Sequence, residues 1–114
     1  MSDAGRLAAT QLAAYNESDL EAFCACYHPE VEVWNDRTQA YVGLETFRDR
    51  YRGLFEDWTF GATVSERVVA GEHAIDLEHW WRVDPKDDRR SEGDLLVRYT
   101  ARDGLIGVVQ FLQV

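Results

Sequence analysis

Three polar side chains of the sequence could form a site for proton transfer, and His79 is the one that could carry the proton. In the segment DLEHWWRV, residues 76–83, strand alternation puts His79 on one mostly apolar face together with Leu77 and Trp81. An imidazole titrates near pH ~6.5, which suits a general acid or base at neutral pH. We expect His79 to face an apolar cavity, either as a catalyst or as a hydrogen-bonded group that only shapes the cavity.

Two further polar side chains are candidates to assist His79. A two-residue turn at Gly71-Glu72 would place Glu66 diagonal to His79 on the same face, where it could orient the imidazole; a shift of one position would leave it on the surface. Asn35 ends a short alternating segment and could donate a hydrogen bond to a ligand carbonyl or to the adjacent loop. The candidate catalytic residues are therefore His79, Glu66 and Asn35, and each of them also has a purely structural alternative.

Metal and cofactor chemistry have no sequence motif here. The histidines are His28, His73 and His79, and none of them forms an H-x-H or H-x-x-x-H pair. The sequence also lacks a glycine-rich phosphate loop and a G-x-S-x-G segment. We therefore expect no metal and no cofactor.

The elements that would position these side chains begin with three helices. Apolar spacing predicts a helix over residues 4–15 and a second, short one in SDLEAFCACY, opened by a Ser18 capping box and stopped by Pro29. A third begins near Gly43. Between the second and third helices, VEVWN is predicted to be a strand, and DRTQ a loop before a brief strand at residues 41–42.

After Trp58 the apolar period changes from 3.6 to 2. This change predicts strands over roughly 59–70, 73–84, 92–102 and 105–113, joined by turns at Gly71-Glu72 and Asp103-Gly104 and by one long charged loop. Helices followed by an antiparallel meander make an α+β fold. A curved sheet wrapped over helices would leave a cone with a cavity at its mouth.

Composition limits the partners and the compartment. The chain has 114 residues, which we expect to form one domain over 1–114, and 46% of them are hydrophobic, enough for a core. Its net charge of −9 opposes binding to nucleic acid and to anionic membranes. Cys24 and Cys26, two apart on a helix, point in different directions and are expected to be buried free thiols, which favours the cytoplasm.

The segments YNESDLEAF, VEVWND, YVGLETFRDRY and RDGLI, in this order, resemble the nuclear transport factor 2-like superfamily, in its SnoaL-like and ketosteroid-isomerase-like branch. The resemblance implies a conical barrel in which three N-terminal helices pack on a curved, mostly antiparallel sheet. It further implies an apolar pocket for a small hydrophobic molecule and a homodimer.

Catalytic positions of the isomerase-type relatives can be carried over from the resemblance. Their catalytic base aligns with Asn35, their tyrosine oxyanion donor with Thr10, and their protonated acid falls near Leu95. An amide cannot accept the proton that a carboxylate base takes. The chain therefore departs from the isomerase pattern at all three positions, and we do not expect ketosteroid isomerase activity.

The resemblance also assigns faces to the strands. It places the odd-numbered residues 75–83 towards the pocket, and dimer contacts through Trp80, Leu96 and Arg98 on the convex face. For the last strand, a strict Asp103-Gly104 turn puts Val108 inward, whereas a bulge at Gly104 puts Val109 inward, and the family pattern favours the bulge. The implied pocket residues are Tyr15, Phe47, Tyr51, Leu77, Trp81, Val97, Tyr99, Val109 and Phe111.

Two functions remain open from the sequence. The first is cofactor-independent isomerisation, cyclisation or dehydration of a hydrophobic, carbonyl-containing ligand, with His79 transferring the proton. The second is a non-catalytic homodimeric domain for ligand binding or association.

Overall fold

The computed structural model describes residues 3–114 and contains three helices. They are α1 (Ala4–Asn16), α2 (Leu20–Cys24) and α3 (Leu44–Asp57). All three were predicted, and α1 and α3 lie within one or two residues of their expected bounds. None of these helices in the described part of the chain is both long and apolar enough to cross a membrane.

A six-stranded sheet makes up the rest of the fold. Its strands are β1 (Tyr27–Asn35), β2 (Thr38–Val42), β3 (Thr59–Ala70), β4 (His73–Val83), β5 (Arg90–Arg102) and β6 (Leu105–Gln113). The strand order is β2-β1-β6-β5-β4-β3, with β1 parallel to β6 and every other pair antiparallel. The predicted α+β architecture, with three helices on a curved and mostly antiparallel sheet, is confirmed.

Around α2 the chain departs from the expected bounds. Asp19 caps this helix, since its side chain accepts a hydrogen bond from the Ala22 N–H, and the expected Ser18 cap is not used. The helix ends at Cys24, well before Pro29, which lies inside β1. Beside β1, β2 begins at Thr38, inside the segment expected to be a loop, because Asp36 adopts a positive φ of 52° that allows a tight turn.

The β5–β6 hairpin combines a tight turn with a bulge. Asp103 and Gly104 have φ values of 53° and 79°, which is the type I′ pattern of a two-residue loop. The ladder then shifts by one residue at Gly107. The bulge was expected at Gly104 but lies three residues further along, at Gly107. It still has the expected effect, because it turns Val109 to the face that packs on the helices.

The core lies between the helices and the face of the sheet that packs on them, which we call the inner face. Phe23 is almost fully buried, and its ring centroid lies 5.5 Å from that of Phe47 and 5.2 Å from that of Tyr27. On the sheet side, Ala74 and Val97 are fully buried. The aromatic cluster closes one part of the cone and leaves a cavity beside it.

Candidate functional site

The cavity lies between the inner face of the sheet and helices α1 and α3, and has a volume of about 540 Å³. This volume falls within the range of small-molecule sites. Side chains from all three helices and from five strands line it, and most of them are apolar or aromatic. The residues are Gln11, Leu12, Tyr15, Phe23, Tyr27, Val33, Asn35, Ala40, Tyr41, Phe47, Arg50, Tyr51, Leu54, Glu78, Trp80, Arg82, Leu95, Tyr99, Val109, Phe111 and Gln113.

Glu78 is the carboxyl group of this cavity. Burial raises the pKa of Glu78 to about 7, the negative charge of Asp76 adds to the rise, and Arg82 opposes it. Asp76 is fully buried and accepts two hydrogen bonds from Arg67, at 2.6 and 2.9 Å. The Arg67–Asp76 pair is thus internally neutralised, and Glu78 is free to take either protonation state near neutral pH.

Within the described chain, Arg82 is one of two arginines that line the same cavity, the other being Arg50. The Arg82 guanidinium carbon lies 5.5 Å from the centroid of the Trp80 ring. Its Nε is buried and has no hydrogen-bond partner among residues 3–114. Burial raises the pKa of the Tyr15 phenol, and the charge and hydrogen bond of Arg82 oppose that rise. One face of β4 therefore carries an acid, an aromatic ring and an arginine at every second position.

Buried phenols surround this charged row. Gln11 joins two of them, because its Nε2 donates to the Tyr99 hydroxyl and its Oε1 accepts from the Tyr27 hydroxyl, each at 3.0 Å. Burial raises the pKa of Tyr27, Tyr51 and Tyr99 above the usual tyrosine value. These phenols stay protonated at neutral pH. The Tyr27 hydroxyl already donates to Gln11, whereas the hydroxyls of Tyr51 and Tyr99 can donate to a ligand oxygen.

Six of the predicted pocket residues line the cavity: Tyr15, Phe47, Tyr51, Tyr99, Val109 and Phe111. Val97 is fully buried and belongs to the core. Asn35, expected to orient a ligand, also lines the cavity and is exposed. The two other positions carried over from the isomerases diverge, since Leu95 lines the cavity whereas Thr10 is exposed and donates to the Arg6 carbonyl at 2.8 Å.

The predicted orientation of β4 is wrong. Even-numbered side chains of this strand lie on the inner face, where Glu78, Trp80 and Arg82 line the cavity, and odd-numbered ones lie on what we call the outer face of the sheet. Asp76 is 0% exposed, whereas its neighbour Ile75 is 36% exposed. Leu77 and Trp81 therefore do not line the pocket, and Trp80, expected on the convex dimer surface, does.

His79 lies on the outer face, and its predicted role in the pocket is wrong. Its Nδ1 is 2.7 Å from a carboxylate oxygen of Asp94, and its Nε2 is 2.9 Å from one of Glu92. These hydrogen bonds raise the pKa of the imidazole, and the one with Asp94 has the larger effect. Glu66, the expected partner, is exposed and lies opposite Leu77 in the β3–β4 ladder. The predicted dyad does not form.

The error has a physical cause. The prediction assumed that the more apolar face of β4 turns inward, but the inner face tolerates charge here because Arg67 lies directly opposite Asp76 and pairs with it. A signal was present in the sequence: the Gly71-Glu72 turn fixes a register in which residues 67 and 76 are opposite and oppositely charged. Opposite charges at residues 67 and 76 are compatible with an ion pair on the surface and with a buried one. The prediction placed the charged face of β4 on the surface, and for this reason it missed Glu78 and Arg82 as cavity residues.

The chain is similar to known proteins in its sequence family and in its fold. The family model described as a SnoaL-like domain matches residues 8–108. An uncharacterised cystatin-fold protein from Novosphingobium aromaticivorans is similar with a TM-score of 0.87 and 21% identity, over 99% of both chains. No curated protein matches the chain.

Two further solved structures are similar in fold. A Mycobacterium tuberculosis LEH-like epoxide hydrolase has a TM-score of 0.83 and 13% identity, over 94% of this chain and 79% of the other. A protein with a ketosteroid-isomerase-like fold from Catenulispora acidiphila, solved in complex with trimethylamine, has a TM-score of 0.79 and 12% identity, over 95% of this chain and 85% of the other. These likenesses show the fold, and the family match spans most of the chain. The chain belongs to the SnoaL-like domain family.

Proposed function

We propose that the cavity binds a small, mainly apolar ligand with a carbonyl group, and that Glu78 transfers a proton to or from that ligand. The observation that carries the proposal is the position of Glu78, whose carboxyl lies in an aromatic cavity with a pKa raised by burial to about 7. A general acid or base works best when its pKa is close to the working pH. Glu78 thus replaces His79 as the proton-transfer group.

The surrounding groups support carbonyl chemistry. Removing a proton next to a carbonyl creates negative charge on its oxygen, which nearby hydrogen-bond donors stabilise. The cavity offers such donors in the Tyr99 and Tyr51 phenols. Isomerisation, cyclisation and dehydration all begin with such a step and need no cofactor. Among the neighbours, the Catenulispora protein holds a small molecule and the Mycobacterium protein is an epoxide hydrolase.

The proposal can be tested with 2-tetralone, an apolar ketone whose α-protons exchange with solvent. In D₂O the wild-type protein should accelerate exchange, with a rate that rises with pH through a midpoint near 7, because the charged form of Glu78 is the base. Glu78→Gln should lower the protein-dependent rate by about a hundredfold, within the usual range for loss of a general base. Proton NMR of the α-position measures both rates.

The neighbouring residue supplies the matched control. His79→Gln changes the next residue of the same strand but on the outer face, and should leave the exchange rate unchanged. If His79→Gln abolishes exchange and Glu78→Gln does not, the assignment of Glu78 is overturned. Absence of exchange above the buffer rate in the wild type contradicts proton transfer on a ketone in this cavity.

A second function, association of two copies through the outer face, is favoured by a separate observation. That face carries Leu77, Trp81 and Leu96 only partly buried, with Ile75 36% and Val68 64% exposed. We propose a homodimer through this face that includes Leu96 and Arg98, with Trp81 in place of Trp80. We also propose a cytoplasmic location, because Cys24 and Cys26 are both free thiols.

A further inference from the structure

Two arginines on the inner face of the sheet differ in the hydrogen-bond acceptors that their guanidinium groups find. Arg67 on β3 donates from Nε and from one terminal nitrogen to the two carboxylate oxygens of Asp76. Arg82 on β4 lines the cavity, and its buried Nε–H has no acceptor among the described residues 3–114. A buried charged donor without an acceptor is costly, and a ligand that supplies an acceptor removes that cost.

Glu78 is the acidic side chain of the cavity lining, but it does not neutralise the positive charge of Arg82. The two residues are four positions apart on one strand, about 13 Å along its axis at the usual rise, with Trp80 between them. Burial outweighs the effect of Arg82 on Glu78, whose pKa rises. Near neutral pH the pair therefore leaves positive charge at the Arg82 end of the cavity.

We propose that Arg82 is an anion subsite, and that the ligand of this cavity is a carboxylate on an apolar ring skeleton. The carboxylate accepts hydrogen bonds from the Arg82 guanidinium, and the apolar skeleton lies against Trp80, Leu95 and Phe111. This inference rests on the proposed function and narrows it, because a ligand that also carries the reacting carbonyl is then a keto acid.

The charges around the cavity favour binding of an anion inside it, although the overall charge of the protein does not favour anion binding. The chain as a whole is at −9, which repels anions at long range, so recognition has to be local. Arg50 adds positive charge to the cavity lining, and Asp76 is neutralised by Arg67. The remaining titratable groups that interact with Glu78 are protonated phenols from α1, β1, α3 and β5: Tyr15, Tyr27, Tyr51 and Tyr99.

The test compares three probes of the same shape that differ in charge: 2-naphthoate, 2-naphthamide and 2-naphthylmethylammonium. At about pH 6 the wild-type protein should bind 2-naphthoate about tenfold more tightly than 2-naphthamide, as expected for a charge-assisted hydrogen bond. The preference should shrink at about pH 8, because Glu78 is then charged and repels the carboxylate. Quenching of tryptophan fluorescence or isothermal titration calorimetry measures each dissociation constant.

Two substitutions locate the effect at Arg82. Arg82→Gln should bring the ratio of the two affinities to about one while the 2-naphthamide affinity stays within about twofold. Arg82→Lys should retain part of the preference, because it keeps the charge and loses the planar fork. Arg52→Gln removes the same charge from an exposed position of α3, where Arg52 pairs with Asp49, and should leave the ratio unchanged.

The outcomes separate this inference from the proposed function. Equal binding of 2-naphthoate and 2-naphthamide by the wild-type protein, or tighter binding of the ammonium probe, overturns the anion subsite and leaves an apolar binding cavity in place. Failure of all three probes to bind at millimolar concentration overturns the binding cavity itself. The comparison of probes on the wild-type protein does not depend on whether an Arg82 variant folds.

Discussion

A carboxyl group inside an apolar cavity prefers the neutral form, and this preference links the chemistry of Glu78 to the stability of the fold. In the unfolded chain the pKa of Glu78 is near the ordinary glutamate value of 4.5, whereas in the folded protein it is about 7. Between these two values the folded state holds a proton that the unfolded state has lost. The residue that is suited to proton transfer thus costs stability once it is charged.

The pH dependence of stability follows from this shift. As pH rises from about 5.5 to 8.5, Glu78 should lower the free energy of unfolding by about 2 kcal/mol. In this interval the folded protein loses the Glu78 proton, which most unfolded chains have already lost. Glu78→Gln removes this contribution, so the wild type should lose stability relative to the variant as pH rises. Urea unfolding at both pH values measures the difference.

Glu66→Gln is the control for that measurement. It makes the same change at an exposed position of the neighbouring strand β3 and should follow the wild type at both pH values. A wild-type protein that gains stability relative to Glu78→Gln at high pH would contradict the burial of a neutral carboxyl.

At the scale of elements, strand registers decide which side chains meet in the cavity. Two irregularities matter: the β3–β4 ladder shifts between Val64 and Glu66, and the β5–β6 ladder shifts at Gly107. Each extra residue reverses the faces of the positions beyond it. Gly107 is needed at its bulge, because a Cβ built there would lie 2.6 Å from the Cβ of Arg102.

Glycine substitutions test this role of the bulge. Gly107→Ala should destabilise the protein by about 1–3 kcal/mol, since the added methyl group displaces the backbone next to Arg102. Gly53→Ala, inside α3 with nothing within 4 Å of the added atom, should instead stabilise by about 0.5–1 kcal/mol. Thermal or urea unfolding of the two variants gives the sign of each change, and a neutral Gly107→Ala would contradict the tight bulge.

At the scale of the whole molecule, the two faces of the sheet have different surroundings. The helices cover the inner face and leave a cavity there, whereas the outer face has no helix packed on it within residues 3–114. The outer face nevertheless carries partly exposed leucine, isoleucine, valine and tryptophan side chains. Large exposed apolar patches mark association surfaces, and we propose that this face is one of them.

The proposed dimer gives a direct prediction. At micromolar concentration the wild-type protein should have twice the chain mass of 13.1 kDa in light scattering. Leu77 and Leu96 are opposite each other in the β4–β5 ladder, so the double change to aspartate places two charges in the centre of the patch and should give a monomer. Val42→Asp alters a residue that is 49% exposed on β2, away from this patch, and should remain a dimer. A monomeric wild type contradicts the association.

The α+β fold and the order of its elements were predicted from the sequence alone. A change of apolar period after Trp58, a turn signal at Gly71-Glu72 and a strong one at Asp103-Gly104 are local properties. They bounded β3, β4 and β6 to within one residue. The family resemblance likewise identified most of the aromatic cavity lining.

Only the tertiary structure decided which face of β4 meets the cavity. Alternation shows that two faces differ but does not say which one is buried when each carries a tryptophan and charges can be paired across strands. The Arg67–Asp76 pair makes the charged face the inner one, and so exchanges His79 for Glu78 as the side chain in the cavity. The partners that neutralise a buried charge lie on other strands, and their contacts exist only in the folded chain.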